Sequence, residues 1–221
     1  MYCVSFISII YIYKMIRSII FDLDGVLFDG RSFHAKCFID AVNTVLSDTI
    51  LTYEYHEQYL DGLSTKEKLK RMNLDENISK RIYDLKQHLT AKGIKEHINP
   101  DEKVLNICET LISRGCKVYC VSNSIRSTVE ACLSGMGVLD LFTGIISNED
   151  TKEPKPSPEP YLTLFRNYIL EPKECLVLED SPYGIESATK SGAYVLPVKD
   201  CDDVNIDSIL VALNRYSMVP V

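Results

Sequence analysis

Four acidic side chains stand where apolar, strand-like runs give way to turns. In "SIIFDLDGVLFDG", residues 18–30, the apolar run stops at Asp22, resumes for one residue and stops again at Asp24. Alternation along a strand sends positions i and i+2 to one side, so these carboxylates converge, and Gly25 lets the chain turn away. A second pair, Glu179 and Asp180, closes the run "CLVLE" in the same manner. Two carboxylates about 4 Å apart repel by roughly 4 kcal/mol at an effective dielectric near 20. One such pair could simply cap a helix or solvate a loop tip. Two pairs at equivalent strand ends ask for a cation. Hard oxygen ligands with no nearby His or Cys cluster suit Mg²⁺, which keeps part of its water and accepts phosphate oxygens.

Two further stretches fit an anionic substrate. "VSNS" places Ser122 and Asn123 just beyond an apolar run, where a hydroxyl and backbone N–H groups can bind anionic oxygens, although Ser-Asn is also ordinary turn chemistry. "EPKPSPEPY" carries Lys155 among prolines at 154, 156, 158 and 160, whose fixed φ stiffens the loop. Ser157 as N-cap with Pro158 at N1 is expected to open the helix "YLTLFRNYIL". Lys155 would then neutralise both the acids and a substrate phosphate.

The elements that must position these groups alternate between strand and helix. Strands are expected at 18–22, 117–122, 142–147, 175–179 and 194–198, short apolar runs of the kind covered on both faces. A helix is expected near 101–114, with Val104, Leu105, Cys108, Leu111 and Ile112 on one stripe and Gly115 as its stop. The pattern predicts an α/β fold, a doubly wound parallel sheet with a Rossmann-like core. From 31 to 95 the periodicity is helical instead. Phe33, Cys37, Ala41, Val42 and Val45 share one face, and Ile78, Ile82, Leu85 and Leu89 another. This reads as an inserted all-helical cap over 31–95, hinged near Gly30 and near 97–100, on a core of 15–30 and 96–221. Residues 1–14 read as an apolar extension ahead of a domain that begins near Met15, with an interfacial anchor as the alternative.

Composition narrows the partners. The 221 residues carry a net charge of −7, which argues against nucleic acid or an anionic membrane as the main partner. The eight cysteines include no C-x-x-C pair and fall mostly in apolar runs, as reduced thiols of a cytoplasmic protein do. No stable membrane insertion is expected, and the chain is read as a monomer or weak dimer.

Together, "FDLDGVLFD", "VSN", "KPSPEP" and "LVLEDSPYGIESATKSG", in that order, resemble the haloacid dehalogenase-like hydrolase superfamily, from about Met15 to Val198. In the last motif Ser181 can N-cap a helix, Pro182 fits N1 and Gly192 closes it. The position of the insert is similar to the β-phosphoglucomutase and phosphoglycolate phosphatase branch with an α-helical cap. The resemblance implies that Asp22 is the nucleophile forming an aspartyl-phosphate, and that Asp24 protonates the leaving oxygen and then activates water. It implies that Ser122 and Lys155 complete the catalytic set, one by hydrogen bonding and one by charge. Asp22, the Asp24 backbone carbonyl and Asp180 would hold Mg²⁺, with Glu179 as a further ligand or through water. In the cap, His34 opens the first helix and "GLSTKEKL" (62–69) resembles the substrate loop, so Asn123, His34 and Lys66 are expected to bind substrate. The mutases of that branch carry Arg where this chain has Thr65, which favours hydrolysis.

Charge arithmetic over this set is unfavourable. Four acids against Mg²⁺ and Lys155 leave a net negative site before a phosphate arrives, so Asp24 is expected to rest protonated and the cap to supply further cations. The expected function is a Mg²⁺-dependent phosphomonoesterase acting on a small phosphorylated metabolite, a sugar phosphate being the expected kind. A phosphomutase is the first alternative and a non-catalytic regulatory relative the remoter one.

Overall fold

The computed structural model describes residues 15–47, 50–61 and 63–217; the apolar stretch 1–14 lies outside them. Five strands form one parallel sheet: β1 (Ser18–Phe21), β2 (Lys117–Val121), β3 (Phe142–Ile146), β4 (Cys175–Glu179) and β5 (Tyr194–Pro197). Their order is β3-β2-β1-β4-β5, so the chain winds outward from β1 in one direction and then in the other. Every strand ends where the sequence places it or one residue earlier. Register is set by the alternation. Ile19 and Phe21 of β1, with Val118, Cys120, Leu176 and Leu178, point to one face, while Ile20, Tyr119, Val121 and Val177 point to the other.

Helices cover both faces. On the first lie α5 (Glu102–Ser113), α6 (Arg126–Gly135) and α9 (Ile206–Ser217), through Ile107, Cys108, Leu111, Val129, Leu133 and Ile209. On the second lie α7 (Glu159–Tyr168) and α8 (Pro182–Ser191), through Tyr161, Leu164, Phe165 and Ala188. Helix α5 starts behind Asp101, whose side chain accepts from the N–H groups of Lys103 and Val104, and it stops before Gly115. Helix α8 is capped by Ser181, which accepts from the Gly184 N–H, with Pro182 at its first position and Gly192 closing it at φ 89°. The Ser-Pro entry and the glycine stop are as the sequence predicts.

Among the described residues, α5 is preceded between β1 and β2 by four helices that form the insert: α1 (Gly30–Val45), α2 (Tyr53–Tyr59), α3 (Thr65–Arg71) and α4 (Glu76–His97). They bury a cluster of their own from Phe38, Ala41, Val42, Leu51, Leu60, Leu69 and Ile82, with Val45, Ile78, Leu85 and Leu89 packed against it. Phe33 and Ile94 depart from that cluster and pack onto the core of the sheet, which seats the base of the insert. Among the described residues no helix is long and apolar enough to cross a membrane.

Helix α7 differs from expectation at both ends. It begins at Glu159 rather than Pro158, and Ser157 Oγ accepts from the Glu159 N–H at 3.3 Å from within the preceding loop. It ends at Tyr168 because Ile169 turns left-handed, at φ 54°. A β-branched side chain is a poor occupant of that region, where Cβ approaches the following carbonyl oxygen. Ile169 is 93% exposed, so its side chain contributes little packing in return. Replacing it with glycine is therefore expected to stabilise the fold by about 1 kcal/mol, seen as a higher thermal midpoint.

Candidate active site

The centre of the sheet edge is built by neighbouring strands. Asp22 follows β1, Ser122 follows β2, and Glu179 and Asp180 end β4, so the flanking strands deliver their polar ends beside those of β1. This is the switch point of the winding, where open α/β sheets form their crevice. Two glycines permit the approach. Gly25 sits at φ 91°, and a Cβ there would strike the Asp180 carboxylate; one at Gly184 would strike that of Glu179.

Lys155 reaches into this edge from the proline-rich loop and is 7% exposed. Its ammonium donates to Asp22 Oδ1 at 2.6 Å, to Glu179 Oε1 at 2.5 Å and to the Val121 carbonyl at 2.8 Å. All three protons are thus committed to residues on β4, β2 and the end of β1. Burial works against its charge, but Asp22 and Glu179 outweigh burial and hold its pKa well above the usual lysine range. Asp22 is driven the other way. Burial, reinforced by Glu179, raises its pKa well above the ordinary value, and Lys155 offsets this only in part. One buried cation between two buried carboxylates leaves the trio a positive charge short.

The structure brings together Asp22, Glu179 and Asp180, each offering a carboxylate oxygen within 4.8 Å of the others. Asp180 is pushed up to about 6, chiefly by burial, with Glu179 adding to it and Arg31 opposing. Arg31, at the start of α1, donates to Asp180 Oδ2 at 3.0 Å. Glu179 is fully buried and receives Lys155 and the Tyr161 hydroxyl on Oε1, leaving Oε2 without a partner among the described residues. A partnerless buried carboxylate oxygen beside two acids with raised pKa values is an arrangement that a bound cation would satisfy. An all-oxygen donor set fits Mg²⁺.

Asp24 lies apart from that trio. Its carboxylate faces the insert, accepting from Ser124 Oγ at 3.0 Å and lying 3.0 Å from His34 Nε2. Burial pushes the Asp24 pKa up, but His34, Ser124 and Lys86 prevail and set it below the usual carboxylate range. The expectation of a resting protonated Asp24 is corrected accordingly. It is ionised in the substrate-free protein, because the insert supplies the positive charge.

Ser122 is buried, and its Oγ accepts from the Ser124 N–H at 3.0 Å. Asn123 lines the cavity with its amide engaged on the Lys155 main chain: Oδ1 accepts from the Lys155 N–H at 3.1 Å, and Nδ2 donates to the Lys155 carbonyl at 3.5 Å. Lys66 is exposed at the cavity wall. The insert roofs this cavity of about 460 Å³, whose floor is Asp22, Asp24, Lys155 and Asp180.

Residues 19–198 match the family model described as haloacid dehalogenase-like hydrolase. The chain belongs to that family. It is 25% identical over 182 residues to a phosphorylated carbohydrates phosphatase of Thermotoga maritima, covering 80% of this chain and 82% of that one. It is 23% identical over 193 residues to the fructose-1-phosphate phosphatase of Escherichia coli, covering 85% and 98%. Its fold is similar to the crystal structure of a β-phosphoglucomutase from Clostridium difficile, with a TM-score of 0.77 at 23% identity over 91% and 99% of the two chains.

Several residues escape a reading of the sequence. Arg31 and Lys86 of the cavity lie in no motif, while Lys68, Ser124 and, behind the cavity floor, Tyr161 fall within "GLSTKEKL", "VSNS" and "EPKPSPEPY" with nothing there to single them out. Lys86 offers one signal: it falls four residues after Ile82 on the inward stripe of α4, where an apolar residue is expected. Replacing Lys155 with methionine should leave Asp22 and Glu179 buried without their cation and cost about 3–5 kcal/mol, measured by denaturant unfolding. Gly184→Ala, favourable by roughly 1 kcal/mol in an ordinary helix, should here lower the thermal midpoint, because the new methyl displaces Glu179.

Proposed function

We propose that this protein is a Mg²⁺-dependent phosphomonoesterase acting on a small phosphorylated metabolite, with Asp22 as nucleophile. The observation that carries this reading is the Asp22 carboxylate, fixed by Lys155 at the end of β1 and facing a roofed cavity, with Glu179 and Asp180 within reach of one cation. Asp22, Glu179 and Asp180 would hold Mg²⁺, with the Asp24 main-chain carbonyl as a further ligand. When bound, the ion would offset carboxylate charge and polarise a phosphoryl oxygen.

The remaining steps fall to the protein's own residues. An Asp22 carboxylate oxygen attacks phosphorus as the bond to the substrate oxygen breaks, and Asp24 delivers a proton to that departing oxygen. Asp24 then takes a proton from water as the water oxygen attacks phosphorus, which breaks the bond to Asp22 and frees inorganic phosphate. Although His34, Ser124 and Lys86 favour the Asp24 carboxylate in the free protein, the negative charge of a bound substrate would raise its pKa and favour the protonated form that the first step needs. The Ser122 hydroxyl is placed to hydrogen-bond the transferred group. Lys155, with its protons already committed, acts on that group through charge. Asn123 fixes the loop that carries Lys155, while His34 holds Asp24 and Lys66 borders the substrate space.

The insert over 31–95 serves as the cap that closes over substrate and excludes water. Thr65, in place of the arginine of the mutases it resembles, favours release of phosphate over its return to a sugar. The seven described cysteines are free thiols, six of them buried, which supports a reducing, cytoplasmic setting for a monomer or weak dimer. Phosphate release over a panel of sugar phosphates, nucleotides and phosphoglycolate tests the reading. Activity should require Mg²⁺, vanish with EDTA, and fall roughly a thousandfold or more in Asp22→Asn. Metal-independent activity, or a fully active Asp22→Asn, would contradict it.

A further inference from the structure

A second positive centre faces the same cavity from the insert. Lys68 of α3 is 8% exposed, although Lys66 and Lys70 of the same helix are exposed. Its ammonium lies 2.9 Å from His56 Nε2 of α2 and 5.4 Å above the ring of Phe38 of α1. Among the described residues no carboxylate stands within ion-pairing distance of it; the attraction of Asp61 and Asp24 acts from farther off. Glu67, next in sequence, is committed to the capping box with Ser64. A lysine buried to this degree normally has a paired anion, since burying an uncompensated charge is costly.

The surroundings keep this charge in place and leave it unanswered. Burial lowers the Lys68 pKa to about 8, which still leaves the ammonium largely protonated at neutral pH. Burial and the Lys68 charge lower His56 to about 4, so its ring is neutral and its Nε2 can accept from the ammonium. Lys86, the other buried lysine of the insert, stands near Asp24 and His34 and contributes to the same positive field.

We propose that Lys68, oriented by His56, is a subsite for a second anionic group of the substrate, a carboxylate or a second phosphate. This deepens the phosphohydrolase reading and rests on it. The substrate is then a phosphomonoester with another negative group at its far end. The missing counter-ion of Lys68 is that group. The subsite lies on residues 56 and 68 and makes no use of position 65.

Uncleavable probes test this by calorimetric titration of the full chain with Mg²⁺ present. Methylphosphonate offers one anionic group; carboxyalkylphosphonates of two to four carbons and an alkane bisphosphonate offer two. At least one two-headed probe should bind about tenfold or more tightly than methylphosphonate. Lys68→Met should erase that margin while methylphosphonate affinity stays near wild type, and Lys68→Arg should retain part of it. Thermal stability should rise in Lys68→Met, because a buried charge is removed, whereas a purely structural lysine would lower it. Should Lys68→Met fail to fold, Lys68→Gln compared with Lys68→Arg supplies the same contrast. Equal affinity for all probes, or a Lys68 variant that weakens methylphosphonate as much as the two-headed probes, would overturn the subsite. Phosphatase turnover without this preference would sink the subsite alone; the preference without any turnover would uphold it and sink the phosphohydrolase reading.

Discussion

One buried ammonium holds the centre of this molecule together. Lys155 ties β1, β2 and β4 at their polar ends through Asp22, the Val121 carbonyl and Glu179. Without it, two buried carboxylates would face each other in a poorly screened site, and one would have to take up a proton. With it, the pair is tolerated, yet the balance stays negative. The raised pKa values of Asp22 and Asp180 and the partnerless oxygen of Glu179 all express that deficit. A site built this way is poised for a divalent cation.

Charge is partitioned between the two parts of the fold. The sheet edge gathers acids, and the insert answers with Arg31 on Asp180 and with His34 and Lys86 around Asp24. The two carboxylates that leave β1 therefore part company. Asp22 turns inward to Lys155 and Asp24 turns outward to His34, so residues of one type and two positions apart acquire opposite pKa shifts. On the proposed reading, a cation bound beside Asp22 would favour its carboxylate form, and substrate charge near Asp24 would favour the protonated form there.

Much of this was legible in the sequence because it rests on local rules. Strand ends, the Ser181-Pro182 helix entry and the Gly192 stop follow from alternation and capping, and the acids of β1 and β4 stand out because apolar strands do not end in carboxylates by accident. What escaped depends on tertiary packing. In "STKEKLKR" nothing separates Lys68 from Lys66 or Lys70 until α3 is laid against α2. The direction of the Asp24 shift depends on His34 and Lys86, which are 10 and 62 positions away in sequence. The left-handed turn at Ile169 defeats residue preference outright, since nothing in a β-branched residue announces a positive φ.

The proposed chemistry converges on a single covalent event at Asp22. Enzyme quenched in acid during turnover and reduced with borohydride reports it, because reduction converts an aspartyl-phosphate to homoserine. Peptide mass spectrometry should then find homoserine at position 22 in the presence of substrate and Mg²⁺, and aspartate there without substrate. Homoserine at a different position, or aspartate at every position while phosphate is being released, would contradict the assignment of Asp22 as the group that accepts phosphorus.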